Sequence, residues 1–196
     1  MRIGVLGNGN VGSRLSTLLA QGGYEVLVGS RSGGVSLQQV ALHCDIVVVA
    51  IHYHAAKEVL APLADLLADK IVVDVTNPLN DDWSPLLLGQ ETSAAEEISK
   101  VLPRSRVVKA FNTIFADVMH VDTIKREGQN ITAFAAGDDE AAVDTVAALA
   151  RDAGFKPVSI NKLSAARYLE AMAHLNIELA VGQGGGTNSA FLYHQA

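Results

Sequence analysis

A glycine-rich segment near the N terminus constrains the fold more than any other feature of this sequence. Residues 7–12 read Gly-Asn-Gly-Asn-Val-Gly, a G-x-G-x-x-G pattern. The segment directly follows the apolar run Ile3–Leu6, which is typical of a strand. It also opens the segment Val11–Ala20, in which apolar side chains recur at helical spacing. A glycine-rich turn between a strand and a helix predicts a βαβ unit that binds a dinucleotide.

The three glycines have different predicted roles. Gly7 permits the tight turn after the strand, Gly9 lets the backbone approach a pyrophosphate, and Gly12 allows the helix to pack closely on the strand. The helix that begins here offers unpaired N–H groups and the positive end of its dipole to phosphates. We therefore expect a pyrophosphate to be bound by Gly7, Asn8, Gly9, Asn10, Val11 and Gly12.

The rest of the chain alternates short apolar runs with longer helical patterns. The predicted strands are Ile3–Leu6, Glu25–Val28, Asp45–Ile51, Ile71–Val75, Val107–Phe111, Ile131–Ala135 and Pro157–Ile160. The predicted helices are Val11–Ala20, Leu37–Leu42, Ala55–Leu67, Ala94–Leu102, Glu140–Ala153 and a C-terminal helix over about 163–181. Strands that alternate with helices predict an α/β fold with a doubly wound, mostly parallel sheet of the Rossmann type.

The sheet is predicted to be shortened between its second and fourth strands. Arg31 and Asp45 stand only 14 positions apart, and only Ser36–His43 can be helical between them. A standard mononucleotide-binding half places a helix, a third strand and another helix there. We therefore expect that the second helix and the third strand are absent and that the second strand lies at the sheet edge. A chain of 196 residues then forms one dinucleotide-binding domain, 1–196, with a flexible tail at 182–196.

The end of the second strand favours NADP(H) over NAD(H). Sites that prefer NAD place an Asp or Glu at this point to bind the ribose 2′-hydroxyl, and the stretch 28–32, Val-Gly-Ser-Arg-Ser, has neither. Gly29 leaves room, Ser30 and Ser32 offer hydroxyl groups, and Arg31 offers a bidentate fork for a 2′-phosphate.

Composition excludes several other classes of protein. The net charge is −6 and the positive residues are scattered, so we expect no nucleic-acid partner. The longest apolar runs have the length of a strand, which predicts no membrane span. The single cysteine, Cys44, cannot form an intrachain disulfide, and no apolar targeting segment precedes the glycine-rich loop. These features predict a cytoplasmic protein.

Several segments together resemble one known family: Gly7–Gly12, Val28–Arg31, Val73–Leu79, Thr92–Glu96, Val108–Thr113 and Leu163–Arg167. The chain looks like the NADP oxidoreductases that depend on the deazaflavin coenzyme F420. The same unit is similar to the cytoplasmic reductase domain of the STEAP metalloreductases. The resemblance covers nearly the whole chain, and its most specific motifs are Asn-Pro-Leu, Ser-Ala-Ala-Glu and Lys-Ala-Phe-Asn.

The resemblance implies that NADP(H) lies over the strand ends and that a deazaflavin or flavin stacks on the nicotinamide as second substrate. Gly7–Gly12 would hold the pyrophosphate, and Ser30 with Arg31 the 2′-phosphate. Three loops at the carboxyl ends of later strands would surround the nicotinamide half; they carry Ile51-His52, Asn77-Pro78 and Asn112-Thr113. The chain departs from the family at Gly33 and Gly34, where the family usually adds a basic residue, which predicts weaker NADP affinity. The shortened connection is a second departure.

Hydride transfer between such rings needs little acid–base help, so no catalytic residue is required; His52 and Asn112 are the candidates for one. His52 and His54 have two possible roles: they contact a ribose or an acceptor ring, or they are ordinary loop histidines.

The two asparagine loops leave similar alternatives. Asn77-Pro78 either lines the site or only breaks the turn. Asn112 binds the nicotinamide amide or caps the next helix. We expect no metal site, because no third ligand stands at useful spacing from His52 and His54. His43 is the one residue left open as a third ligand.

The function predicted from the sequence is an NADP(H)-dependent oxidoreductase that reduces a small-molecule acceptor. The alternative is an NADP(H)-binding redox sensor without catalysis. A hydroxy-acid dehydrogenase is disfavoured, because the chain has no room for the usual second domain. The last helix is apolar nearly all round, which predicts burial and contact with a second copy in a homodimer; the residues concerned are Ala165, Leu169, Met172, Leu175, Ile177, Leu179 and Val181.

Overall fold

Seven apolar segments pair into one central sheet. The computed structural model describes residues 1–86, 88 and 91–195. The strands are β1 (Arg2–Leu6), β2 (Glu25–Gly29), β3 (Ile46–Val49), β4 (Ile71–Asp74), β5 (Arg106–Ala110), β6 (Lys125–Arg126), β7 (Gln129–Asn130), β8 (Thr132–Gly137) and β9 (Lys156–Ile160). The order in the sheet is β2-β1-β3-β4-β5-β8-β9. All neighbours are parallel except β5 and β8, so the predicted mostly parallel sheet is confirmed.

Helices cover both faces of this sheet. They are α1 (Asn10–Gln21), α2 (Leu37–His43), α3 (Tyr53–Leu60), α4 (Ala94–Val101), α5 (Glu140–Asp152) and α6 (Ala166–Ile177). Along β3, Ile46 and Val48 belong to the core that includes α1 and α5, whereas Val47 and Val49 belong to the core that includes α2, α3 and α4. Burial on both faces explains why this strand is apolar at every position.

The predicted shortening of the sheet is confirmed. The chain leaves β2, forms the single helix α2, and enters β3 on the other side of β1, so that β2 lies at the edge. Ser36 begins α2 with a capping box: its hydroxyl accepts from the Gln39 N–H at 3.2 Å, and the Gln39 side chain accepts from the Ser36 N–H at 2.9 Å. This cap gives the short connection a defined helix start.

Some elements differ from the sequence predictions. The helix predicted to run to Leu67 ends at Leu60 and continues as a 3₁₀ turn over Ala61–Leu63, which contains Pro62. The last helix ends at Ile177 and continues as a π-helical turn over Glu178–Gly182. The antiparallel hairpin of β6 and β7 was not predicted, because its two-residue strands carry no apolar alternation.

The prediction that the last helix is buried is wrong for one of its faces. Leu169 and Ala173 are buried, but Tyr168, Leu175 and Leu179 are 73%, 53% and 48% exposed. No helix within the described part of the chain combines the length and the apolar character needed to cross a bilayer.

The tail after the last helix contacts the start of β8. The Thr132 N–H donates to the Phe191 carbonyl at 3.1 Å, and the Tyr193 N–H donates to the Thr132 hydroxyl at 2.8 Å. The flexibility expected for this tail stays a prediction, and its last residue, Ala196, lies outside the described residues.

Candidate functional site

The carboxyl ends of β2, β1, β3, β4 and β5 lie side by side at one edge of the sheet. Each is followed by a loop that carries residues predicted for cofactor binding. The Gly7 N–H donates to the Gly29 carbonyl at 2.8 Å, and the Ala50 N–H donates to the Leu6 carbonyl at 2.9 Å. The structure therefore brings the predicted residues into one row, as expected at the switch point of an open α/β sheet.

The glycine-rich loop has the backbone geometry that its sequence predicts. Gly7 has a φ of +116°, and a Cβ at this residue would lie 2.2 Å from the Ala50 carbonyl oxygen. A Cβ at Gly12 would lie 2.2 Å from the Gly7 carbonyl oxygen. At Gly9, by contrast, a Cβ would meet nothing within 4 Å. Gly7 and Gly12 are thus required by packing, whereas the space above Gly9 is open to a ligand.

The N-terminus of α1 faces this open space without a side-chain cap. Gly9 is the N-cap residue and no side chain accepts a hydrogen bond there. The Ser13 hydroxyl is turned to the Asn8 and Gly9 carbonyls, at 2.9 and 2.8 Å. Asn8 and Asn10 are exposed, Val11 is half-buried, and uncapped N–H groups at a helix start bind anions. The loop therefore fits a pyrophosphate.

The turn after β2 lies next to the glycine-rich loop. Ser30 is half-buried, and its N–H donates to the Val35 carbonyl at 3.2 Å, which closes the turn. Arg31 and Ser32 are exposed, and within the described residues Arg31 has no ion-pair or hydrogen-bond partner. A Cβ at Gly29 would lie 2.6 Å from the Val40 Cγ2 of α2, so any side chain at this position would clash with that helix. Packing of α2 thus excludes an acidic side chain at the end of β2.

The loop after β3 carries two histidines. Ile51 is half-buried and near Gly7: its Cγ2 would lie 3.2 Å from a Cβ at that glycine. His52 is exposed and is the N-cap residue of α3, without a side-chain hydrogen bond to the helix. The rings of His52 and His54 are stacked, with centroids 5.5 Å apart.

Two asparagines join the loops after β4 and β5. The Asn77 Nδ2 donates to the Asn112 carbonyl at 2.8 Å, and the Asn112 Nδ2 donates to the Asn77 Oδ1 at 2.9 Å and to the Leu169 carbonyl at 3.0 Å. We call Asn77 and Asn112 the amide pair. Asn112 does not cap the following 3₁₀ turn, which begins after Phe115. The Asn112 Oδ1 is buried and has no hydrogen-bond partner within the part of the chain that the structure describes.

A buried ionic cluster next to the amide pair was not predicted. Lys109 donates to Asp74 and Glu170, both at 2.8 Å, and all three side chains are at most 5% exposed. Burial disfavours the charged ammonium, but the two carboxylates outweigh that effect and raise the pKa of Lys109. We call these three residues the buried cluster. A signal was present in the sequence, because Asp74 and Lys109 each interrupt an apolar strand.

The C-terminal helix α6 covers this side of the site. The Glu170 carboxylate accepts from the Ala94 N–H at 2.9 Å and from the Ala95 N–H at 3.3 Å. The His174 Nε2 lies 3.1 Å from the carbonyl oxygen of Pro78, a buried residue. The helix thereby contacts the loops that carry both members of the amide pair.

An open pocket adjoins the histidine loop. Its volume is about 260 Å³, and it is lined by His54, Leu79, Asn80, Asp81 and Leu86. Asp81 and Asp82 are exposed, and Trp83, in the same loop, is 50% exposed with a φ of +70°. Among the described residues, no three His, Cys, Asp or Glu side chains gather as metal ligands.

Comparison with known proteins finds reductases of two groups, of which the first is the F420-dependent NADP reductases. The family model described as NADP oxidoreductase coenzyme F420-dependent matches residues 32–78. A candidate F420-dependent NADP reductase of Arthrobacter sp. FB24, whose structure is solved, is 27% identical, with 100% of each chain covered and a TM-score of 0.88. The chain is therefore similar to the coenzyme F420-dependent NADP oxidoreductases over most of its length. The resemblance predicted from the sequence motifs is therefore confirmed.

Curated relatives fall into the same two groups. The F420-dependent NADP reductase of Methanothermobacter thermautotrophicus is 27% identical, over 92% of this chain and 90% of that protein. The metalloreductase STEAP3 of Rattus norvegicus is 34% identical, over 87% of this chain. The chain spans only 36% of the length of that metalloreductase and 35% of two STEAP2 relatives.

Proposed function

We propose that this chain is an NADP(H)-dependent oxidoreductase, formed as a single domain over 1–196, that transfers a hydride between NADPH and a small acceptor. The observation that carries the proposal is the open, uncapped N-terminus of α1 above Gly9, beside the exposed Arg31. A backbone anion site next to a guanidinium that is exposed and has no partner among the described residues suits a dinucleotide that carries a 2′-phosphate.

The proposed cofactor contacts divide into two halves. On the adenosine side, the backbone of Gly7–Gly12 holds the pyrophosphate, and Ser30, Arg31 and Ser32 hold the 2′-phosphate. On the other side, the nicotinamide ring is held among Ile51, His52, Asn77, Pro78 and Asn112. The adjacency of these loops at one sheet edge supports this division.

The protein supplies position and shielding in this proposal. The nicotinamide ring, when bound, supplies the hydride, and no side chain has to move a proton. The amide pair and the cover of α6 hold the ring against the strand ends and keep water from it. The Asn112 Oδ1, which accepts no hydrogen bond from the described residues, is an acceptor suited to a carboxamide N–H.

The proposed acceptor is a deazaflavin or another flavin-type ring. The pocket of about 260 Å³ beside His54 and Leu79 offers apolar contact next to the histidine pair. The names of the archaeal relatives, F420-dependent NADP reductase, support this acceptor class. We further propose a cytoplasmic location, consistent with the single buried Cys44, and a homodimer formed through α6.

The test is a titration of the purified chain with NADPH and NADH, followed by a turnover screen. The screen offers coenzyme F420, FMN, quinones and ferric chelates as acceptors. We expect tight binding of NADPH, weak binding of NADH, and fastest turnover with F420 or FMN. Equal binding of the two nucleotides would contradict the assignment of Arg31, and binding without any turnover would favour a redox sensor.

A further inference from the structure

The buried cluster carries an inference about the reaction. We infer that Asp74, Lys109 and Glu170 position the amide pair so that it holds the nicotinamide half of NADP(H). This inference rests on the proposed function and adds to it three positioning residues that do not themselves touch the cofactor.

Lys109 is linked to both loops of the amide pair, to one by a hydrogen bond and to the other along the chain. It donates to Asp74 and Glu170 and, at 2.6 Å, to the carbonyl of Thr76, which directly precedes Asn77. Lys109 itself lies at the end of β5, three residues before Asn112. One cation therefore fixes the backbone next to Asn77 with respect to the strand that leads to Asn112.

Every carboxylate oxygen of the cluster accepts a hydrogen bond. The Asp74 Oδ1 accepts from the Thr76 N–H at 2.9 Å and its Oδ2 accepts from Lys109. The Glu170 Oε1 accepts from Lys109, and its Oε2 accepts from the Ala94 N–H. These four contacts satisfy all the oxygens of the two acids within the protein.

Stability alone does not account for three buried charges. Apolar residues of similar volume often support a fold as well as a buried ionic cluster does, or better. What this cluster supplies, and apolar packing does not, is directional bonding between β4, β5, α4 and α6. That directionality suits the placement of a ligand-holding loop.

The backbone next to the amide pair is strained, which supports a functional role. Phe111, directly before Asn112, has a φ of +60°, a region that side chains larger than glycine rarely occupy. The Thr76 Oγ1 and the Asn112 Oδ1 are both buried, and neither has a hydrogen-bond partner in the described ranges 1–86, 88 and 91–195. Strained residues and unpaired polar atoms persist where the surroundings hold them, and they concentrate at ligand sites.

The experiment separates the two halves of the cofactor. The variants Glu170→Gln and Lys109→Met are compared with Glu96→Gln. Glu96 also joins α4 to α6, through Arg167 at 2.6 Å, but does not contact the ends of β4 and β5. Calorimetric titration measures Kd for adenosine 2′,5′-bisphosphate, which probes the adenosine side alone, and for NADPH, which probes both sides.

We expect all three variants to bind the bisphosphate within twofold of the wild type. For NADPH, Kd should rise at least fivefold in Glu170→Gln and further in Lys109→Met, with no change in Glu96→Gln. The rate of a single hydride transfer at saturating NADPH should fall in the first two variants only. If Lys109→Met does not fold, Glu170→Gln, which preserves the side-chain shape, decides the question.

The inference is overturned if folded Glu170→Gln keeps the wild-type ratio of the Kd for NADPH to the Kd for the bisphosphate. That outcome includes the case in which both Kd values rise by the same factor. A wild-type chain that binds the bisphosphate but gains nothing from the nicotinamide half would overturn the inference and leave the NADP site intact. A wild-type chain that binds neither compound would overturn the proposed function, and the inference with it.

Discussion

At the scale of single residues, Arg31 determines the proposed choice between NADPH and NADH. It is exposed, stands beside the glycine-rich loop, and makes no ion pair within the described residues. A hydrogen bond to a charged group contributes about 1.5–3 kcal/mol. Arg31→Ala should therefore weaken NADPH binding by about tenfold to a hundredfold and leave NADH binding unchanged, as measured by fluorescence titration.

The matched control for this variant is Arg151→Ala, an exposed arginine in the last turn of α5. It should change neither affinity. A loss of NADH binding equal to the loss of NADPH binding in Arg31→Ala would contradict the 2′-phosphate contact, because NADH lacks that group.

Gly9 and Gly12 should respond differently to an added side chain. Gly9→Ser places a favoured N-cap residue in open space, so thermal stability should hold or rise while NADPH affinity falls at least tenfold. Gly12→Ala forces a Cβ against the Gly7 carbonyl and should cost about 1–3 kcal/mol of unfolding free energy. Thermal melts and NADPH titrations measure both effects. Unchanged NADPH affinity in Gly9→Ser would contradict the pyrophosphate site.

At the scale of elements, the strands were predictable and the contacts between distant elements were not. The apolar run of β3 is continuous because both faces of the strand are buried, and the 14 positions after Arg31 leave no room for another strand. The buried cluster, in contrast, depends on the register that pairs Asp74 with Lys109 and on Glu170 from a later helix. Periodicity along the chain carries no information about such pairing.

The buried cluster should also dominate the stability of these elements. Lys109→Met leaves two buried carboxylates without their cation and should lower the unfolding free energy by about 3–5 kcal/mol. Lys100→Met, which breaks the exposed pair with Glu97, should change it by less than about 1 kcal/mol. Urea unfolding measures both. Equal losses in the two variants would contradict the role of burial.

The raised pKa of Lys109 gives this stabilisation a definite pH dependence. Because the folded chain holds this proton more tightly than the unfolded chain, the contribution is complete below the ordinary lysine pKa of 10.5. It is lost as the pH rises through the higher pKa of the folded state. Wild-type unfolding free energy should therefore fall more steeply than that of Lys109→Met once the pH exceeds the ordinary lysine pKa, as followed by urea unfolding between pH 10 and pH 12.

At the scale of the whole molecule, the two sides of the site are built differently. The side proposed for adenosine ends at the edge strand β2, with the turn that carries Arg31 exposed. The side proposed for the nicotinamide is covered by α6, which contacts both loops of the amide pair. The sequence indicated the open side, because the number of residues between β2 and β3 is too small for another strand and therefore places β2 at the sheet edge. The covered side depends on how α6 packs, and that was not visible in its apolar composition.

The outer face of α6 and of the turn after it provides the last prediction. Tyr168, Leu175 and Leu179 are large, exposed and spaced along one side, and isolated chains rarely expose a contiguous apolar surface of this kind. A second copy would bury this surface and would shield the side of each site that α6 covers.

Size-exclusion chromatography with light scattering should give a dimer for the wild type and a monomer for the double variant Leu175→Glu/Leu179→Glu. Val121→Glu, which changes an equally exposed apolar residue away from α6, should remain a dimer. A wild type that is monomeric at tens of micromolar would refute this interface. A chain that is monomeric at that concentration is also monomeric at the lower concentrations used for turnover, where an α6 contact would have to persist in order to affect the site.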